Sequence, residues 1–284
     1  ARSFQVDIDR IKISATHTGK VPNTSATAAS SGSDLNGMAT ADACAKIKKR
    51  LHDFAVERWQ TSANEVEFLP GRVRIGSDMV SFDELIREAY QARIPLSATG
   101  FYATPEINWD KVQAKGRPFF YFAYGAAVTE VAIDTLTGEN RMLRVDILHD
   151  VGKSLNPAID LGQIEGGFIQ GAGWLTTEEL WWDGPGHLRT HAPSTYKIPT
   201  LGDRAPDMRI NIWAPGENVE QTIHRSKAVG EPPLMLGISA LMALSDAVAA
   251  AGDYVHYPQL DAPATPERVL VAVRGVSAKR EMAR

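Results

Sequence analysis

Glu231 stands in Gly230-Glu231-Pro232-Pro233, directly before the almost wholly apolar stretch Leu234 to Ala251. A helix starting there is expected to draw Glu231 into the protein. The helix N-terminus favours the carboxylate anion while burial favours the neutral acid, a balance suited to a general base. The two prolines stiffen the backbone around it. The plainer alternative is an acidic residue in a first helical turn with Pro at its start.

Asp160 to Trp174 has a helical pattern yet contains Gly162, Gly166, Gly167, Gly171 and Gly173, each costing the helix about 1 kcal/mol against alanine. At 100° per residue Gln163, Gly167 and Gln170 share a face, with Gly166 beside them. Two neutral amides then flank bare backbone, which suits a ligand rich in donors and acceptors. Tight small-residue helix packing with solvated glutamines is the alternative. Gly171-Ala-Gly173 is not a dinucleotide fingerprint, because Thr176 replaces the third glycine and no strand leads in. A third place is Pro22 to Asp34, whose small residues let backbone N–H groups gather before a helix, an oxyanion-binding geometry or simply a solvated Ser/Ala loop.

Absent motifs narrow the chemistry. His187 and His191 have His-x-x-x-His spacing but fall in a Gly/Pro stretch where structural histidines are the expectation, and the sequence has no Walker loop, no Gly-x-Ser-x-Gly elbow and no Cys/His nucleophile pair. Cys44 is the single cysteine, which excludes an internal disulfide and Cys-rich metal ligation and suits a reducing, cytoplasmic compartment. Thirty Lys plus Arg against thirty-four Asp plus Glu leave a net charge of −4, without the basic excess that drives nucleic-acid binding. Ser239, Ser245 and Asp246 interrupt the apolar stretch, which is expected to be a core helix and not a membrane span.

The elements that must position these residues follow from periodicity. Phe4 to Ile8 and Ile11 to Ala15 alternate as strands, and Leu35 to Trp59 is a helix capped by Ser33 or Asp34. Short strands flank Pro70-Gly71, and Ser81 to Arg93 is a capped amphipathic helix. Phe119 to Ile133 and Arg141 to Ile147 form a hairpin through Thr135 to Gly138; Asn156-Pro157 opens a helix to about Leu180; Met208 to Ala214 is a strand. The expected class is α+β, with mixed sheets and packed helices. The opening at Ala1 reads as entry into the middle of a domain. Residues 1–262 are expected to be one domain part and 263–284 a polar tail, frayed from Ser277.

The chain resembles the molybdenum-cofactor domain of the xanthine dehydrogenase and aldehyde oxidase family, over nearly its whole length. The resemblance rests on Val21-Pro-Asn-Thr-Ser25, Thr27 to Gly37, Gly100 to Glu106, Gly116 to Phe122, Asn156 to Gln163, Glu165 to Gly171, Pro193 to Pro199 and Val229-Gly-Glu-Pro-Pro233. The Thr27 to Gly37 and Gly100 to Glu106 segments are closer to xanthine dehydrogenases than to aldehyde oxidases.

The resemblance implies a molybdenum held by the dithiolene of a molybdopterin, with Ala29 nearest the metal, Ala29, Ser30, Gly32, Gln163 and Gly230 at the cofactor, and Glu231 as the catalytic base; Gln170 stays one layer behind. It implies oxidative hydroxylation of purines, hypoxanthine to xanthine to urate, with electrons leaving through [2Fe-2S] clusters and FAD to NAD+ on partner chains or sequence beyond this segment. It also implies a dimer of multi-cofactor units. An aldehyde or N-heterocycle oxidase, or a non-catalytic fragment, is the alternative. The family's Gly-Gln-Gly pterin loop, the glutamine near the metal's apical oxygen and the purine-gripping residues precede the point matching Ala1, so the segment alone is expected to be inactive.

Overall fold

The computed structural model describes residues 1–15, 17–19, 26–214 and 216–282, with only the backbone of Met282. Pro22 to Ser25 of the expected oxyanion loop lie outside them, as does Val21 of the resemblance segment. The chain divides into two compact units, Ala1–Phe120 and Tyr121–Arg284.

In the first unit, helix α1 (Gly32–Trp59) buries Leu51, Phe54 and Ala55 against Val73 and Ile75. Those valine and isoleucine side chains belong to an antiparallel sheet of β1 (Val66–Leu69), β2 (Arg72–Ile75) and β3 (Asp78–Ser81). Leu85 and Ala89 of α2 (Phe82–Gln91) complete the core. The expected cap is present: Ser81 Oγ accepts from the Glu84 N–H at 3.1 Å. A hairpin of β4 (Asn108–Asp110) and β5 (Lys115–Arg117) follows.

The strands expected at Phe4 to Ile8 and Ile11 to Ala15 do not form. This stretch makes turns and a single 3-10 turn, Ile8–Arg10, with Ile13 92% exposed. Alternation makes a strand only where a neighbouring strand offers its hydrogen-bonding edge, and no described strand does so here.

The second unit is organised by β6 (Gly125–Ile133), β7 (Asn140–His149) and β8 (Asp207–Ile212). The first pair is an antiparallel hairpin and the second is parallel. A parallel pair needs a crossover, supplied by α3 (Pro157–Thr176), which packs Ile164, Phe168 and Ala172 onto Val145 and Ile147 of β7. Asn156 caps α3 by accepting from the Ile159 N–H, with Pro157 in its first turn.

The apolar helix does not begin directly after Pro232-Pro233 as expected. A 3-10 turn, Pro232–Gly237, precedes α4 (Ile238–Ala251), since two adjacent prolines remove backbone donors at the helix start. The stretch Pro232–Ala251 is long and apolar enough to cross a membrane, but Ala240, Leu244 and Val248 lie in the core. The polar tail expected over 263–284 is instead largely helix α5 (Pro266–Met282). Its charges hide the period of Val269, Ala272, Val273 and Val276, which pack with Leu244 and Val248.

Gly138 closes the β6–β7 turn at φ +80°, where a Cβ would stand 1.9 Å from the Pro266 carbonyl oxygen. Gly138→Ala is expected to destabilise the protein by about 2–4 kcal/mol, combining backbone strain with overpacking. Thermal unfolding that leaves the midpoint unchanged would contradict this packing.

Candidate functional site

Helix α3 uses its glycines in two ways. A Cβ on Gly171 would stand 2.1 Å from the Leu234 carbonyl oxygen, and one on Gly237 2.5 Å from the Ala172 nitrogen, so helix and 3-10 turn meet backbone against backbone. On Gly167 it would lie 3.0 Å from Pro233 Cβ and 3.5 Å from the Gly230 oxygen, and Gly173 faces Pro199. Gly162 and Gly166 have nothing within 4 Å of such a Cβ. Small-residue packing therefore accounts for Gly167, Gly171 and Gly173, correcting the expectation that Gly167 belongs to a bare ligand face. Open backbone remains at Gly162 and Gly166, beside Gln163; Gln163 and Gln170 are both exposed.

Glu231 is exposed, not drawn inward. The reason lies in what the segment buries: Pro233 is buried, and Gly230 and Pro233 cover Gly167. The side chain between them is left at the surface of this unit. Glu231 precedes the 3-10 turn and makes no side-chain capping bond there. Gly230, Glu231 and the Gln163 helix are thus brought together within one unit. Ala29, Ser30 and Gly32 belong to the other unit, where the loop enters α1 with Ala29 and Ser30 at φ 54° and 53°. Such paired left-handed conformations at non-glycine residues are strained. Helix α1 starts at Gly32 instead of after Ser33 or Asp34, with Ser31 as N-cap, and the Ser31 hydroxyl donates back to the Ala28 carbonyl at 2.8 Å.

Residues not singled out from the sequence anchor the chain leading into Glu231. Lys227 Nζ lies 2.6 Å from Asp150 Oδ2, both side chains largely buried at 7% and 16% exposure, and 5.1 Å from the centre of the Tyr124 ring. The Lys227 N–H donates to the Val151 carbonyl at 2.8 Å, and the Ala228 N–H to the Tyr121 hydroxyl at 2.8 Å. Just before them, buried Asn218 and Thr222 donate to the Ser226 carbonyl at 3.0 and 2.6 Å. Removing one partner of so buried a pair strands the other charge, at about 3–5 kcal/mol. A lysine beside Ala228 and Val229, just ahead of the Gly-Glu-Pro-Pro sequence, is the one local hint of this anchor.

His149, 1% exposed at the end of β7, shares the space over Gly125 with Leu236. Burial holds its imidazole below the ordinary value, and Lys227 lowers it further, against the Asp150 backbone hydrogen bond and carboxylate, which raise it. The unfolded chain then binds a proton that the folded one refuses. Stability is full above the ordinary imidazole value of about 6.5 and is lost as pH falls through the depressed folded value. Unfolding midpoints measured from neutral to mildly acid pH should fall less steeply in His149→Leu than in the parent; parallel curves would refute this.

The profile of the molybdopterin cofactor-binding domain matches residues 1–205. Xanthine dehydrogenase from Oryza sativa subsp. japonica is 46% identical over 96% of this chain and 19% of its own length, and xanthine dehydrogenase/oxidase from Mus musculus 43% over 95% and 19%. The chain belongs to the molybdopterin cofactor-binding domains of the xanthine dehydrogenase family, and spans about a fifth of the length of these relatives. Quinoline 2-oxidoreductase from Pseudomonas putida 86 shares the fold, with a TM-score of 0.73 at 24% identity over 87% of this chain and 30% of that one.

The residues present fit a molybdopterin. Among the described residues no group of three or more His, Cys, Asp or Glu could hold a metal. The open backbone at Gly162 and Gly166, next to the Gln163 carboxamide, leaves room for a polar ring system. Gly166→Ala should stabilise the fold by about 0.4–1 kcal/mol and Gly171→Ala should destabilise it, as read by denaturant unfolding. Equal effects at both positions would remove the distinction.

Proposed function

We propose that this chain supplies the base and part of the cofactor cradle of a molybdenum hydroxylase acting on purines, hypoxanthine to xanthine to urate. The observation that carries this is the seating of Gly230 and Pro233 on Gly167, which sets Glu231 beside the Gln163 helix. Identity to xanthine dehydrogenases along nearly the whole chain supports the substrate class.

In this reading Gln163 and the open backbone of Gly162 and Gly166 hold the pterin by hydrogen bonding and close approach. The resemblance assigns Ala29, Ser30 and Gly32 to molybdopterin contact as well, with Ala29 nearest the metal. The bound molybdenum pterin supplies the oxidant that takes two electrons from an electron-poor ring carbon. Glu231 accepts, at a carboxylate oxygen, a proton from the water whose oxygen enters the product. Overall, substrate and water give hydroxylated product, two protons and two electrons. Those electrons pass to [2Fe-2S] clusters, FAD and NAD+ on partner chains or further sequence. The assembly is a cytoplasmic dimer, and no nucleic acid or membrane takes part.

In the full-length enzyme, Glu231→Gln should keep its molybdenum and lose at least about a hundredfold in kcat on xanthine. Near-normal turnover with full metal content would reject Glu231 as the base. Faster turnover of an aromatic aldehyde than of xanthine by the parent enzyme would replace the purine reading with an aldehyde oxidase.

A further inference from the structure

The geometry points to Tyr121 and the Asp150–Lys227 pair as positioning residues for Glu231, an inference that rests on Glu231 being the base. As a base Glu231 needs a fixed direction, and the backbone that carries it is held on both sides. On the C-terminal side, Pro233 and Leu234 rest on the glycines of α3. On the N-terminal side, three contacts hold consecutive residues: the Lys227 ammonium on Asp150 at 2.6 Å, the Lys227 N–H on the Val151 carbonyl at 2.8 Å, and the Ala228 N–H on the Tyr121 hydroxyl at 2.8 Å.

Asp150 is itself braced, accepting from the Gly152 N–H at 2.8 Å, and the adjacent Gly152–Ser226 bridge joins the same two strands of chain. The ion pair is out of water and satisfied on both sides, so it selects one register of residues 226–230 against the end of β7. Tyr121 then fixes the peptide three residues before Glu231. None of these groups needs to touch substrate; each acts through the direction in which Glu231 leaves the backbone.

The test is a double-mutant cycle in the full-length enzyme, with molybdenum content and thermal midpoint measured for every variant. Tyr121→Phe removes one hydroxyl and keeps the ring, so the protein folds. It should lower kcat on xanthine about tenfold with KM within about twofold. Lys227→Met should lose more, and Lys227→Arg should recover most of that loss by keeping the charge on Asp150. In a Glu231→Gln background, Tyr121→Phe should cost nothing further. Parent-level kcat in Tyr121→Phe, or the same fold-loss with and without Glu231, overturns the positioning role alone. A Glu231→Gln enzyme with normal turnover overturns the base assignment, and the positioning role with it.

Discussion

The contact between α3 and the Pro232–Gly237 turn is a backbone-to-backbone contact, and the rest of the site is arranged around it. Side chains at Gly171 or Gly237 would collide with main-chain atoms that cannot move without unwinding an element. The helix gives up intrinsic stability for this closeness and regains it by burying Gly167 and Gly171 under Pro233 and Leu234. With the turn pinned there, the chain direction at Gly230 follows, and Glu231 leaves it next to α3.

That pin needs a second point, or the segment would swing about it. Asp150 and Lys227 provide it at the end of β7, where the parallel pairing with β8 has already set the position of the strand. His149 belongs to the same corner: its ring packs over Gly125 with Leu236, so the strand end and the 3-10 turn share one buried side chain. A neutral imidazole suits a place next to an ammonium that already has its counter-ion.

Features with local causes were legible in the sequence. Ser81 as a cap, Asn156-Pro157 as a helix start and Thr135 to Gly138 as a turn each depend on neighbouring residues, and each is present. What failed depended on partners far along the chain. The alternation of Phe4 to Ile8 found no strand to pair with, and α5 was hidden because its charges outnumber the small residues of its inner face. The glycines of α3 were ambiguous for a physical reason: a missing side chain looks the same whether a ligand or another backbone fills the space. Inward placement of Glu231 was inferred from the apolar stretch after it, but what enters the core there is Pro233 and Gly237. The family resemblance supplied what spacing could not, and assigned no role to Asp150, Lys227 or Tyr121.

The ion pair at the heart of this corner joins residues 77 apart in sequence. Closing so long a loop costs entropy that no local contact repays in advance, so this corner assembles after the β6–β7 ribbon has formed. During synthesis the ribosome delivers α3 and β8 before the turn that covers Gly167 and Gly171. Until that turn emerges, the nascent chain exposes a strip of apolar helix, and in that interval it is most exposed to aggregation and to capture by chaperones.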